Sequence, residues 1–358
     1  MISYLTNKIL YATLTLFGVI TVIFLLFNVL PGDPAQMMLG QNEDSEQIAA
    51  VKAKYGFDKP ISTQYVYYLN DLSLISFHST KSSDYTFLKK GKYVAARLFT
   101  IGGTTTALKF PYLRESFTKQ GKKVSQVIGE TLPNTAVLAI SAIVIAMVLG
   151  IFLGIISALF KDKWPDKLIQ VFSTLGMSVP SFFSAILFAW FFGYVLHDYT
   201  NLEMTGSLYE LDDFGETMQL KWKNLILPAV VLGIRPLAVV IQLMRNSLLE
   251  VFNQDYIRTA RAKGLSDMQI ISKHAIKNAL NPVVTAISGW FASMLAGAVF
   301  VEYIFGWNGL GKEIVNALNT LDLPVIMGAV LVIALLFIII NILVDVIYAY
   351  LDPKVKLN

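Results

Sequence analysis

Cysteine is absent from all 358 residues, which excludes disulfides, thiolate metal sites and cysteine nucleophiles. Histidine is nearly absent: His78, His197 and His274 lie far apart, with no His-x-x-x-His pair, so no zinc site is expected. Charge is scarce, at 15% of residues, and no single-sign block or low-complexity tract points to nucleic acid. There is no Gly-x-Ser-x-Gly elbow, and the adjacent Asp212 and Asp213 suit a solvated loop better than a cooperating acid–base pair. No cofactor and no catalytic residue is expected.

Apolar residues dominate instead, at 55% of the chain, with a mean hydropathy of +0.57. Runs of about 20 apolar residues are what cross a bilayer core. Six are expected: Ile9–Leu30, Leu132–Phe160, Leu168–Leu196, Leu225–Met244, Leu280–Val301 and Val325–Ala349. The first is long for a signal-peptide core and no small-x-small site follows closely, so it reads as a retained span ending in Pro31-Gly-Asp-Pro34. Connections alternate in charge. Lys161–Lys167 and Arg245–Lys277 are basic, His197–Asn224 carries Glu210, Asp212 and Asp213, and the C-terminus carries Lys354 and Lys356. The positive-inside rule then puts the basic connections and both termini in the cytosol. Gly150 with Gly154, and Gly289 with Ser293 and Gly297, have the small-residue spacing of close helix packing.

The expected division is a first transmembrane helix over 1–30, an extracytoplasmic region over 31–120, and a five-helix core over 121–356 with a loop at 245–279. Within 31–120, Glu46–Tyr55 reads as a short helix, Phe57–Ile61 as a turn, and Gln64–Leu74 as an aromatic stretch near the membrane surface. The basic part from Ser79 to Gln120 has no assigned structure or role, and a surface elaboration is its plain reading.

The loop 245–279 organises the chain. Asp255-Tyr-Ile-Arg-Thr-Ala-Arg-Ala-Lys-Gly264 is a polar, basic island between apolar segments. Tyr256, Ala260 and Gly264 share one helical face, and Gly264 suits a left-handed stop. Ser266 and Gln269 then have capping-box spacing for a second helix through Ile270, Ile271 and Ile276. Charge alone would make this an ordinary cytosolic loop. Its residues, with His274-Ala-Ile-Lys-Asn-Ala-Leu-Asn-Pro282, resemble the cytoplasmic loop of oligopeptide/dipeptide-type ABC importer permeases, a variant of the "EAA" motif. Arg258-Thr-Ala260 stands where the general motif has Glu-Ala-Ala. The resemblance continues through Phe27–Pro34, Gly129-Glu-Thr-Leu-Pro-Asn-Thr135, Gly150–Gly154, Ser178-Val-Pro-Ser-Phe182, Leu227-Pro228, Arg245–Leu249, Glu302–Gly311, Asp322-Leu-Pro324 and Asp352-Pro-Lys354. The stretch from 79 to 120 is the main departure.

That resemblance implies an all-α integral membrane protein of the plasma (inner) membrane, with six transmembrane helices in the type I ABC importer permease fold and a large outer loop after the first. It implies a subunit importing peptides, with no ATPase machinery of its own. Its partners would be cytosolic ABC ATPase subunits, a second homologous permease and an extracytoplasmic substrate-binding protein. Asp255, Tyr256, Arg258, Thr259, Ala260, Arg261, Ala262, Lys263 and Gly264 are the expected ATPase-coupling residues, with Ala260 and Gly264 giving close approach and Tyr256 an aromatic anchor. Similar permeases carry nickel complexes. A secondary transporter driven by ions or protons is the alternative class, although no internal inverted repeat is visible.

Two local patterns complete the reading. Gly306-Trp-Asn-Gly-Leu-Gly-Lys-Glu313 nearly spells a phosphate-binding loop, but Glu stands where Ser or Thr would hold Mg²⁺, and it follows an apolar span instead of a strand. A tight glycine turn is expected there. Arg235 lies some ten residues into the fourth span, where a charge costs about 2.5–3.5 kcal/mol, so it faces a wet cavity or snorkels to the headgroups. Arg235, Pro236, Pro180 and Ser181 are the translocation-path candidates.

Overall fold

The computed structural model describes residues 2–29, 35–36, 45–89, 91–212 and 214–351. The Pro31–Pro34 turn, Asp213, the Asp352-Pro-Lys354 ending and Lys356 lie outside them. The principal helices are α1 (Ile2–Val29), α2 (Ser45–Tyr55), α3 (Ile61–Leu72), α4 (Val124–Leu159), α5 (Trp164–Ser178), α6 (Ser181–Trp190), α7 (Lys223–Val251), α8 (Asp255–Ala262), α9 (Asp267–Ile270), α10 (Ile276–Gly297), α11 (Val299–Phe305), α12 (Leu310–Asn319) and α13 (Leu323–Leu351). Strands β1 (Ile75–Ser79), β2 (Ala95–Ile101) and β3 (Thr104–Lys109) form one antiparallel sheet in the order β1-β3-β2. Strand β4 (Tyr209–Leu211) pairs with β5 (Met218–Leu220). The chain is thus mostly helical, with two small sheets added.

Among the described residues four helices are long and apolar enough to cross a membrane: α1, α4, α7 and α13. Two bent pairs bring the number to six if each is one span: α5 with Ser181–Val195, at 112°, and Asp267–Leu295 with α11, at 58°. The third expected span, Leu168–Leu196, is therefore no straight rod. Proline cannot donate the helical hydrogen bond and drives the residue before it out of the helical region. Val179 is accordingly extended, with ψ 132°, and Pro180 caps the new helix.

Contacts group the chain into two compact units. The larger is built on Thr131–Val315, joined by the residues up to Lys8 and from Leu335 onward. Its central helix is α7, whose Leu227, Val231, Val240, Met244 and Leu248 are all buried. A Cβ on Gly150 would come within 2.7 Å of Val240, and one on Gly154 within 2.7 Å of Met244. The first small-residue pair thus lets α4 lie against α7, as its spacing predicts. At Gly289 and Ser293 the second stripe does not pack in this way. Gly289 has nothing within 4 Å of a Cβ position, and Ser293 is exposed.

The smaller unit comprises Ile9–Glu130 and Asn316–Ala334. Here α3 lies on α1: the Phe24 ring sits 5.0 Å from that of Tyr65 and 5.7 Å from that of Tyr68, and Thr21 shares a 2.7 Å hydrogen bond with the Tyr65 hydroxyl. The stretch left without structure by sequence forms most of the three-stranded sheet, and its alternation is inverted. Ser76, His78, Thr105 and Lys109 are buried, whereas Ile75, Phe77, Phe99, Ile101 and Leu108 are exposed. The buried polar layer is held by Asp71, only 1% exposed, whose carboxylate accepts from Tyr85 (2.7 Å), Tyr93 (3.1 Å) and Arg114 (3.1 Å). Asp322, equally buried, accepts from the Thr118 hydroxyl at 2.8 Å, from the Phe117 and Thr118 amides, and from Ser116.

Candidate coupling loop and translocation cleft

Helix α8 is short, and both its ends are tied by local chemistry. Gly264 adopts φ +77°, its amide donates to Arg261 O (2.9 Å), and the Leu265 amide donates to Ala260 O (3.3 Å). These two bonds make a Schellman stop, which the left-handed glycine permits without a Cβ clash. Ser266 and Gln269 then close the expected capping box. From there α9 runs through a π turn at Ile271–Ala275 into α10 without a break. The loop is thus two helices joined by one fixed corner.

Its root is buried. Ile257 (0% exposed) and Ala260 (6%) enter a cluster with Met244, Leu248, Val251, Ile270, Ala275 and Ala279. Ala260 therefore packs into the chain's own core and is unavailable for close approach to a partner. The i, i+3 step to Ile257 selects that inner face, whereas the sequence reading had grouped Ala260 with Tyr256. Tyr256 stays half-exposed, and its hydroxyl accepts from Asn278 Nδ2 at 2.9 Å, which joins both halves of the recognised motif. Asp255, Arg258, Thr259, Arg261, Ala262, Lys263 and Gly264 are exposed. Arg258 reaches Asp255 at 3.3 Å, and Thr259 Oγ1 donates to Asp255 O at 2.9 Å. Met268 adds an exposed apolar tip, 74% accessible, that sequence did not single out. The exposed residues of the loop are thus mainly polar and basic, with Met268 as an apolar addition.

Of the translocation-path candidates, Arg235 and Ser181 line one cleft of about 110 Å³, with Gly176, Ser184, Trp290 and Ser293. Arg235 is exposed, Pro236 is buried within α7, and Pro180 shapes the turn that brings Ser181 to the cleft. One cation, several hydroxyls and an indole can bind a polar solute through its carbonyl and carboxylate groups.

Two further groupings were missed. Asp166, 2% exposed at the start of α5, takes a bidentate pair from Arg245 on α7 (2.8 and 2.7 Å), a hydroxyl bond from Ser157 on α4, and the Asp162 amide at 2.9 Å. This clamp gathers three helices. A carboxylate in a basic connection, with an arginine at a span's end, was its only sequence signal. The second is Glu302, fully buried, whose Oε2 accepts from the Gly311 (2.7 Å) and Lys312 (3.1 Å) amides at the start of α12. A Cβ on Gly309 would come within 2.4 Å of that carboxylate. The near-phosphate loop is therefore an anion cradle already filled by the chain's own side chain. The same turn is pinned to α4 through Trp307 Nε1 on Asn134 O (3.0 Å) and Leu310 N on Thr135 Oγ1 (2.8 Å).

Residues 150–357 match the family described as "Binding-protein-dependent transport system inner membrane component", and residues 1–90 match its N-terminal component. The chain is 32% identical to the dipeptide transport system permease protein DppB of Alkalihalophilus pseudofirmus, over 99% of this chain and all of that one. It is 31% identical to the glutathione transport system permease protein GsiC of Salmonella typhimurium, over 99% of each. Among solved structures it is similar to the inward-facing MetNI methionine ABC transporter, with a TM-score of 0.48 and 14% identity over 64% of this chain and 97% of that one. The chain belongs to the inner-membrane permeases of binding-protein-dependent ABC transporters.

Proposed function

We propose that this permease imports short peptides, and that Asp255–Gln269 is the seat on which a cytosolic ATPase subunit bears. Names given to similar proteins, for dipeptide, peptide and glutathione transport, support the cargo class. A second homologous permease completes the path, and an external binding protein delivers the peptide. The basic loop and both termini face the cytosol, and the region over 31–120 faces outward, in line with the charge of the connections.

The observation that carries the reading is the loop's construction. A helix that must transmit force needs a fixed angle and a rooted base. The Schellman corner supplies the first, and Ile257 and Ala260, packed with Leu248 and Val251 at the end of α7, supply the second. ATP hydrolysis belongs to the partner: the chain's nearest approach to a phosphate loop is occupied by Glu302. The test is reconstitution of the permease pair with its ATPases and binding protein, scoring uptake of labelled di- and oligopeptides. Uptake should require ATP and all components. Uptake driven by an ion gradient without ATPases, or hydrolysis of ATP by this chain alone, would overturn the reading.

A further inference from the structure

The smaller unit holds a cleft of about 430 Å³ that no step above uses. Its volume falls in the range of small-molecule sites. One wall is three aromatic rings in mutual contact: Tyr55, Phe57 and Phe117, with centroids 5.9 to 6.1 Å apart. Tyr85, Tyr112 and Lys92 also line the cleft. The Lys92 ammonium stands 3.6 Å from the Tyr85 ring centre and gives one hydrogen bond, to Tyr85 O at 2.8 Å. Its remaining donors meet no carboxylate within ion-pair distance among the described residues. Arg114 also lines the cleft, but its guanidinium is taken by Asp71. That leaves Lys54, Lys89 and Lys92 against Asp84 and Glu115. A half-buried cation held in place over a ring, in a concave and net-basic site, is arranged for an anion that brings apolar surface with it.

We propose that this cleft binds the C-terminal carboxylate of a short peptide, with Lys92 as the carboxylate partner and the Tyr55–Phe57–Phe117 wall receiving an adjoining side chain. The inference rests on the peptide-cargo reading. It adds a binding point in the sheet-bearing unit, separate from the Arg235 cleft. Burial pushes the Lys92 ammonium down to about 8, with the Asp71 charge opposing that fall, as expected of a cation short of countercharge. A concave site of this size suits a dipeptide better than the flatter contact of a protein partner.

The experiment is a saturation-transfer NMR titration of the full chain in nanodiscs with alanyl-phenylalanine and with its C-terminal amide. The acid should bind saturably and the amide at least about tenfold more weakly, the size of one charge-assisted hydrogen bond. Lys92→Gln should weaken the acid to the level of the amide, while Lys92→Arg keeps binding. Unchanged circular dichroism in both variants separates lost binding from lost fold. Equal binding of acid and amide, equal binding by Lys92→Gln, or displacement by acetate as effective as by unlabelled peptide would each overturn the proposal. So would a Lys92→Gln variant that binds peptide normally but releases the external binding protein, since the cleft would then be a protein contact. ATP-driven peptide uptake by the complete wild-type importer reports separately on the cargo reading. If uptake occurs while the titration is flat, only this inference fails.

Discussion

Ile257, Ala260 and Gly264 do different work within eight residues. Ile257 and Ala260 root α8, and Gly264 sets the corner that aims α9. Gly264→Val would force a β-branched residue into the left-handed region at a cost of about 1–2 kcal/mol. Ala260→Glu would drive a carboxylate into the cluster, and Ile257→Ala would leave a cavity costing about 2–5 kcal/mol. All three variants should insert in the membrane yet copurify poorly with the ATPase and lose peptide uptake. Normal retention and uptake in all three would show that the loop is a mere connector. Arg258→Ala with Arg261→Ala should weaken ATPase retention more gently, since both side chains are exposed and replaceable by solvent. Arg235 poses a separate question. Arg235→Ala should impair uptake while the complex still assembles, and a cysteine placed there should react with a water-soluble thiol reagent. The cysteine-free background makes that labelling unambiguous. Labelling only by lipid-soluble reagents, with uptake intact, would assign Arg235 to the headgroup region.

At the scale of elements, helices α4, α5 and α7 converge on Asp166. Removing one partner of a buried pair leaves the other uncompensated, at roughly 3–5 kcal/mol. Arg245→Ala should therefore lower the thermal midpoint of the detergent-solubilised chain, and Asp166→Asn with Arg245→Met together should lower it less than Arg245→Ala alone. Strictly additive effects would mean that the two side chains are independent. The helices themselves were legible, because each long apolar run carries its own instruction. So were the Schellman glycine and the capping box, which are short-range chemistry. The 112° break at Val179-Pro180 was not read, although the proline was in plain view, because a proline inside a span is often accommodated. Pro133, Pro228 and Pro236 do lie within continuous helices. The inward turn of Ala260 was missed for a related reason. Helical spacing says which residues share a face, and only packing says which face is buried.

At the scale of the whole molecule, the smaller unit carries most of what the sequence withheld. Its buried layer is polar, and its anchors are distant: Ser116 and Asp322 meet across 206 positions. Burial there gives it an unusual pH response. Lys92 and Lys109 are pushed down to about 8, mainly by burial, and His78 is lowered for the same reason. Between about pH 8 and 10.4 the unfolded lysines bind protons that the native ones do not, so stability rises with pH in that window. Native Tyr85, Tyr93 and Tyr112 are raised, again chiefly by burial, so above about pH 10 the unfolded tyrosines ionise first and stability falls. Hydrogen exchange of the β1–β3 amides in the full chain, corrected for intrinsic rate, should show protection greater at about pH 9.5 than at pH 7 and falling beyond 10.5. Protection that declines steadily from pH 7 would refute this assignment of the lysines. The inverted sheet has a practical corollary. With Ile75, Phe77, Phe99, Ile101, Leu108 and Phe110 turned outward, an excised fragment over 45–117 would offer water one continuous oily plane. Such a piece would behave in the test tube as a surfactant-dependent solute, and preparing it would call for a micelle.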